Sequence, residues 1–258
     1  MYKKETFTAV ILFFILQICF AQSSFQNLEL GKNSLNYKGN PLKATDRKSL
    51  AFSDKGAWFG FGFLEQSEMQ GGFSGPFLMT EQNGVWLSSS FISLHLTDKN
   101  EQELIDWKTA LVNQNSYNSH LEQEFQNEKL EVKQQLVFSS GHSAIQKTSI
   151  TNRSSKTITL YPIYNSKTYL DNMQLSTEGQ FLKLVSSKSN AVGYIQFFNE
   201  GIDIVITKDS FTAKANKLTL KPNETKEIVV SQTYIFPQYD WKKENENLAK
   251  IQFNTVLK

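Results

Sequence analysis

From Tyr117 onward the chain alternates apolar and polar residues in segments separated by turn residues. Leu121 to Phe125 leads into a turn at Asn127-Glu128, and Leu130 to Phe138 follows with apolar residues at 130, 132, 136 and 138. Gly141-His142 turns the chain into Ala144–Thr151, where Ala144, Thr148 and Ile150 share a face and Ile145 falls on the other. After a turn at Asn152–Ser155 come Ile158–Tyr164, Phe181–Val185, Val192–Phe198 and Ile202–Thr207, the last two joined as a hairpin by Asn199-Glu200-Gly201. Leu218–Val230 reads as a hairpin around Pro222-Asn223, completed by Gln232–Phe236. A period of two puts one face of each segment on a core and the other in water. So many segments at even spacing predict an all-β fold, a large antiparallel two-sheet β-sandwich.

The pattern differs elsewhere. Residues 22–50 are polar and aperiodic, an irregular lead-in with a turn at Asn40-Pro41. Trp58–Leu64 reads as a strand in which Gly60 and Gly62 let another segment lie close to the backbone. Phe77–Ser90 reads as a hairpin with a two-residue turn at Asn83-Gly84. Asp98–Leu111 fits a helix capped by Asp98 through Leu104, Trp107, Lys108 and Leu111, and fits strand as well. Beyond Trp241, Leu248, Ile251 and Thr255 recur at helical spacing with Phe253 and Val256 nearby, predicting a short C-terminal helix over 242–258. No glycine cap or breaker follows it, as expected of a linker into further structure.

The first residues carry Lys3 and Lys4, then an apolar run from Ala9 to Phe20, then Cys19-Phe20-Ala21. That run is short of the roughly 20 residues a membrane helix needs. The pattern predicts a signal peptide over 1–21, cut after Ala21, and a periplasmic or secreted protein with no membrane span after cleavage. The alternatives are a lipidated Cys19, disfavoured by the bulky Ile18 before it, and a retained anchor. Cleavage removes the single cysteine, and with it any disulfide or cysteine metal site. The sandwich domain is then expected over 22–241.

Composition narrows the partners. The formal net charge is +2 with lysines scattered along the chain, so no nucleic-acid footprint is present. Twenty phenylalanines are more than surface stacking needs, and most must be core.

The chemistry-bearing motifs are few. His95, His120 and His142 lie outside helical spacing of one another, and there is no HExxH pattern, so no metal is expected. There is no G-x-S-x-G elbow, no P-loop and no G-x-G-x-x-G, so no cofactor is expected. Asn152-Arg153-Ser154 and Asn223-Glu224-Thr225 match a glycosylation sequon and read as ordinary turns. Glycoside hydrolysis needs a pair of carboxyl groups. Glu65, Glu68 and Glu81 stand nearest the glycine-rich segment and are the candidates for such a pair.

Asp54-Lys55-Gly56-Ala57-Trp58-Phe59-Gly60-Phe61-Gly62-Phe63, Gly71-Gly72-Phe73-Ser74-Gly75-Pro76, Thr80-Glu81 and Val85-Trp86-Leu87 follow one another in the most distinctive stretch of the chain. Together with the strand order from Leu121 to Ile150, it resembles the N-terminal β-sandwich of bacterial glycoside hydrolase family 63 enzymes, relatives of α-glucosidase I. The resemblance implies α-glucosides as the substrate class. It also implies that the Asp and Glu of an inverting pair sit on a separate helical (α/α) barrel, absent here. This chain is therefore expected to hold no catalytic residue of its own and to meet that barrel in cis or in trans. Trp58, Phe59, Gly71, Gly72 and Phe73 become candidates for a barrel interface or a sugar-binding edge, the alternative being that Trp58 and Phe73 are core rings. Three functions remain open: the N-terminal domain of an exported, truncated or split α-glucosidase-like enzyme, a free carbohydrate-binding sandwich, and a structural interaction module. A reading frame for a helical barrel just downstream would favour the first, and a sugar-induced fluorescence change the second.

Overall fold

The structure is a computed structural model that describes residues 31–79, 83–198 and 201–251. The expected signal peptide, Thr80-Glu81 and the Phe253–Val256 part of the expected helix lie outside the described residues. No helix among those described is long and apolar enough to cross a membrane.

Three antiparallel sheets surround one core. The large one has eight strands. Its spatial order is β10 (Met173–Glu178), β11 (Phe181–Ser186), β12 (Val192–Phe197), β16 (Thr225–Ile235), β8 (Ser143–Asn152), β7 (Leu130–Phe138), β6 (His120–Gln126) and β5 (Leu111–Ser116). Opposite it, β9 (Ile158–Lys167) pairs with β4 (Ser93–Thr97), β14 (Ser210–Lys214) and β15 (Leu218–Leu220), and β13 (Asp203–Ile206) pairs with β14. The third, smaller sheet is β1 (Phe59–Gly62), β2 (Ser74–Leu78) and β3 (Val85–Trp86). The all-β sandwich expected from the alternation is the observed fold.

Strand phase sets the layers. Along β7, Leu130, Val132, Gln134, Leu136 and Phe138 are buried while Glu131 is exposed. Aromatic rings join the layers: Phe59 of β1 lies 4.9 Å from the ring of Tyr234 on β16, and Tyr164 of β9 lies 5.0 Å from Phe197 on β12. In β1 the aromatic–glycine alternation separates two faces. Phe59 and Phe61 point into the core, and the glycines lie under the lead-in, where a Cβ at Gly60 would come 2.7 Å from the Phe52 carbonyl oxygen.

The odd phase of Ile145 has a physical cause. A helix at Trp241–Lys250 lies across the outer face of the large sheet, started by Asp240, whose carboxylate accepts from the N–H groups of Lys242 and Lys243. Trp241 stacks on Tyr194 at 4.0 Å between ring centres, and Glu244 accepts hydrogen bonds from the Ser140 and Ser143 hydroxyls. Leu248 closes a small second core with Val137 and Ile145.

The structure corrects several local expectations. β12 and β13, expected as a hairpin, do not pair, because β12 belongs to the large sheet and β13 pairs with β14 in the opposite one; Asn199-Glu200 between them lie outside the described residues. Pro222-Asn223 does make a turn, with Asn223 at φ 60° and the Glu224 N–H on the Lys221 carbonyl at 3.0 Å. It arches between layers, since β15 pairs with β9 and β16 with β8 and β12. Asn83-Gly84 is not a two-residue turn. Leu78 pairs with Val85, so the connection between β2 and β3 is longer than two residues, and Gly84 has positive φ. Within Asp98–Leu111 the chain turns at 98–101, forms one helical turn at Trp107–Ala110 capped by Asp106, and enters β5 at Leu111.

Candidate functional site

Of the five residues singled out in the glycine-rich stretch, four lie inside the protein. Phe59 has no exposed surface, and its ring packs on Phe61, Phe138 and Tyr234. Phe73 is buried against Phe63 at 5.9 Å. Gly71 and Gly72 lie against the backbone of β4 and the residues before it. A Cβ on Gly71 would come 2.0 Å from the Leu94 carbonyl oxygen, and one on Gly72 would come 2.1 Å from that of Ile92. No side chain fits either position.

This close approach carries two peptide carbonyls into the interior, where each needs a donor. Gln134 on β7 donates to the Gly71 carbonyl and Gln123 on β6 to the Gly72 carbonyl, both at 3.0 Å. Gln114 on β5 donates to the Leu64 carbonyl, also at 3.0 Å. The three amides stand directly opposite one another in the sheet register and bond in sequence. Gln114 donates to the Gln123 oxygen at 3.3 Å, Gln123 to the Gln134 oxygen at 2.7 Å, and Gln134 to the Thr148 hydroxyl at 3.3 Å. All four side chains are buried. The sequence reading missed this ladder. The signal available was phase: Gln123 falls between Leu121 and Phe125, and Gln134 between Val132 and Leu136, on the inward side.

Trp58 alone of the five reaches a surface cleft. It is half-buried, with its ring 4.8 Å from that of Phe236 and its N–H sealed from solvent, so it offers apolar surface. The cleft measures about 320 Å³ and lies at an open end of the sandwich, between β2–β3 and the ends of β11 and β12. Leu78, Leu184, Gly193 and Tyr234 form its buried base, and Tyr169, Asp171, Asn172 and Lys188 contribute to its walls and mouth. None of these last four was singled out from the sequence. They converge from separate segments and carry no motif.

The titratable groups on the outer face of the large sheet form a second cluster. Glu122 accepts from Lys133 Nζ at 3.0 Å and Gln135 Nε2 at 2.9 Å, with His120 Nε2 at 3.8 Å. Burial pushes its pKa up, but the facing His120, Lys133 and Gln135 outweigh that and bring it down to about 2. His120 also stacks on Tyr117, their ring centres 4.5 Å apart. His95 bridges Glu103 and Asn165, and the hydrogen bond to Glu103 raises its pKa. Of the expected carboxylate candidates, Glu65 and Glu68 are exposed, Glu65 accepting from the Asn40 amide. Among the described residues no three His, Cys, Asp or Glu side chains converge as a metal set.

Three outcomes are expected. Replacing Gln123 with Leu leaves the Gly72 carbonyl and the Gln134 oxygen without donors, and urea titration should show a loss of about 1–3 kcal/mol. Phe73→Ser empties a core site and should cost about 3–5 kcal/mol on the same assay, with a lower melting temperature. For Glu122 the folded pKa lies below the unfolded one, so its stabilisation is present above pH ~4.3 and fades as pH falls toward about 2. A Glu122→Gln variant should be less stable than the parent at pH 7, and the gap should close across that window in denaturation curves.

Residues 39–196 match the family described as Glucosidase YgjK, N-terminal. No curated protein matches the sequence. Among solved structures, a kojibiose phosphorylase from the human microbiome superposes with a TM-score of 0.54 at 10% identity, over 78% of this chain and 33% of that one. A polysaccharide lyase superposes with 0.52 at 10% identity, over 77% of this chain and 35% of that one. A galactose mutarotase-like protein from Lactobacillus casei gives 0.50 at 9% identity, over 72% and 99%. At these identities the likeness shows the fold alone. The chain spans about a third of the phosphorylase and of the lyase. The family match covers more than half of this chain and agrees with the resemblance carried by the glycine-rich stretch: the chain belongs to the family of glucosidase YgjK N-terminal domains.

Proposed function

We propose that this chain is the non-catalytic N-terminal domain of an exported glycoside hydrolase acting on α-glucosides, and that it works with a helical (α/α) barrel in cis or in trans. The observation that carries the reading is the family match over residues 39–196. The carboxylates of the chain support the non-catalytic part. A glycosidase needs a general acid whose pKa is raised. Asp46 and Glu122 are the most enclosed carboxylates among the described residues, and both shift the other way. The Lys48 backbone N–H holds Asp46 down, and the neighbours of Glu122 outweigh its burial. Each is an ionised structural acceptor. Export rests on the leader pattern at 1–21, with the periplasm or the exterior as destination. The barrel-facing or sugar-facing surface of the glycine-rich stretch narrows to Trp58 and its neighbours at the cleft, since Phe59, Gly71, Gly72 and Phe73 serve the interior.

The purified chain should release no glucose from maltose or from nitrophenyl α-glucoside. Added to a family barrel domain stripped of its own N-terminal sandwich, it should raise that domain's melting temperature or activity. Glucose release by the chain alone, lost in Glu68→Gln or Glu81→Gln, would overturn the reading.

A further inference from the structure

We infer that the cleft beside Trp58 is a binding subsite for a short neutral saccharide of one or two pyranose rings. Its volume of about 320 Å³ stands at the lower end of the range of small-molecule sites, which begins near 300 Å³. Its chemistry is divided as a pyranose is divided. A sugar ring is apolar on its C–H faces and hydroxylated around its edge. The cleft has an apolar interior of Trp58, Leu78, Leu184 and Tyr234, and a polar mouth of Asp171, Asn172 and Lys188.

Two features mark the mouth as a place for a ligand. Asp171 and Lys188 make no side-chain hydrogen bond or ion pair with any described residue, so an acceptor and a donor of opposite charge stand ready at the same opening. Hydroxyl groups satisfy both, whereas an anion or a cation would meet one partner and one repulsive charge. Asn172 is held in place differently: its amide nitrogen donates to the Ser186 hydroxyl at 2.9 Å, which leaves its oxygen for a ligand. In the base, a Cβ at Gly193 would lie 3.1 Å from the Tyr234 ring and from the Leu184 side chain, a tight contact, and the glycine leaves that ring in the cleft lining. The Tyr169 hydroxyl donates to the Pro41 carbonyl at 2.8 Å, which fixes that ring as a wall. Aromatic surface set in this way suits stacking on an apolar sugar face.

The choice of glucosides as probes rests on the glycoside-hydrolase reading; the shape and lining of the cleft do not. Saturation-transfer NMR and calorimetry on the whole chain with maltose, methyl α-glucopyranoside and methyl α-galactopyranoside test the inference. Saturable binding of a glucoside is expected with a Kd on the order of 1 mM. Asp171→Ala, an exposed change, should weaken it about tenfold, the size of one lost hydrogen bond to a charged group. Ala191→Trp, which fills the cleft, should abolish it, and melting temperatures should report both variants as folded. No saturable binding of any probe to the folded parent overturns the inference. So does binding that Asp171→Ala leaves unchanged, since the sugar then sits elsewhere and the domain reading stands. Cleft-dependent binding of the galactoside alone keeps the subsite and overturns the glucoside class.

Discussion

The buried amide ladder of Gln114, Gln123 and Gln134 is the constraint on which the arrangement of the sheets depends. Each amide has two N–H donors. One meets a backbone carbonyl of the segment joining β1 to β2, and the other meets the next side chain along the sheet. The Leu64 and Gly72 carbonyls can therefore be buried without an unsatisfied acceptor, a defect that costs about 1–3 kcal/mol each, and the Gly71 carbonyl, already accepting from the Leu94 N–H, gains a second donor. The ladder also fixes register. A one-residue slip of β6 or β7 would turn its glutamine to the outer face and bring a charged residue inward. The glycines at 71 and 72 are the other half of the same device. With side chains they could not come within reach of the amides, because the Leu94 and Ile92 carbonyls already occupy the space.

The outer face of the large sheet is not a plain water face. The 241–250 helix covers its β8–β12 side through Trp241, Glu244 and Leu248. On its β6–β7 side Glu122 and Lys133 pair in a partly sheltered setting. There Coulomb attraction is stronger than for an exposed pair and desolvation costs more, and the low pKa of Glu122 shows which effect wins. The eight-stranded sheet thus has both of its faces partly covered by this chain's own residues.

What was legible in the sequence follows from what strand periodicity encodes. Alternation encodes the face of each residue, and most strands from Leu121 to Ile235 were visible by it; β10 and β14, short and largely polar, were not. It does not encode the partner. That is why β12–β13 and β15–β16 read as hairpins while their pairings lie in opposite layers. The off-phase Ile145 was a true signal of a covered second face, uninterpretable until the helix over it was seen. Gly71-Gly72 announced close approach, but the sequence could not say whether the approaching group was another domain or this chain's own β4. The cleft was the least legible feature, because its lining comes from scattered residues such as Ala44, Trp58, Leu78, Val85, Asn172 and Tyr234.

In Phe59-Gly60-Phe61-Gly62 the rings of 59 and 61 fill the core, and positions 60 and 62 share the other face. The lead-in lies directly on that face, with the Phe52 carbonyl oxygen close to Gly60 and that of Tyr37 close to Gly62, and both positions must be glycine for it to do so. Trp58 stands just before the strand, its ring against Tyr234 and Phe236. Its bulky side chain borders the cleft. The aromatic–glycine pattern therefore serves two ends: its glycines admit the chain's own backbone, and the tryptophan just before them presents apolar surface at the cleft.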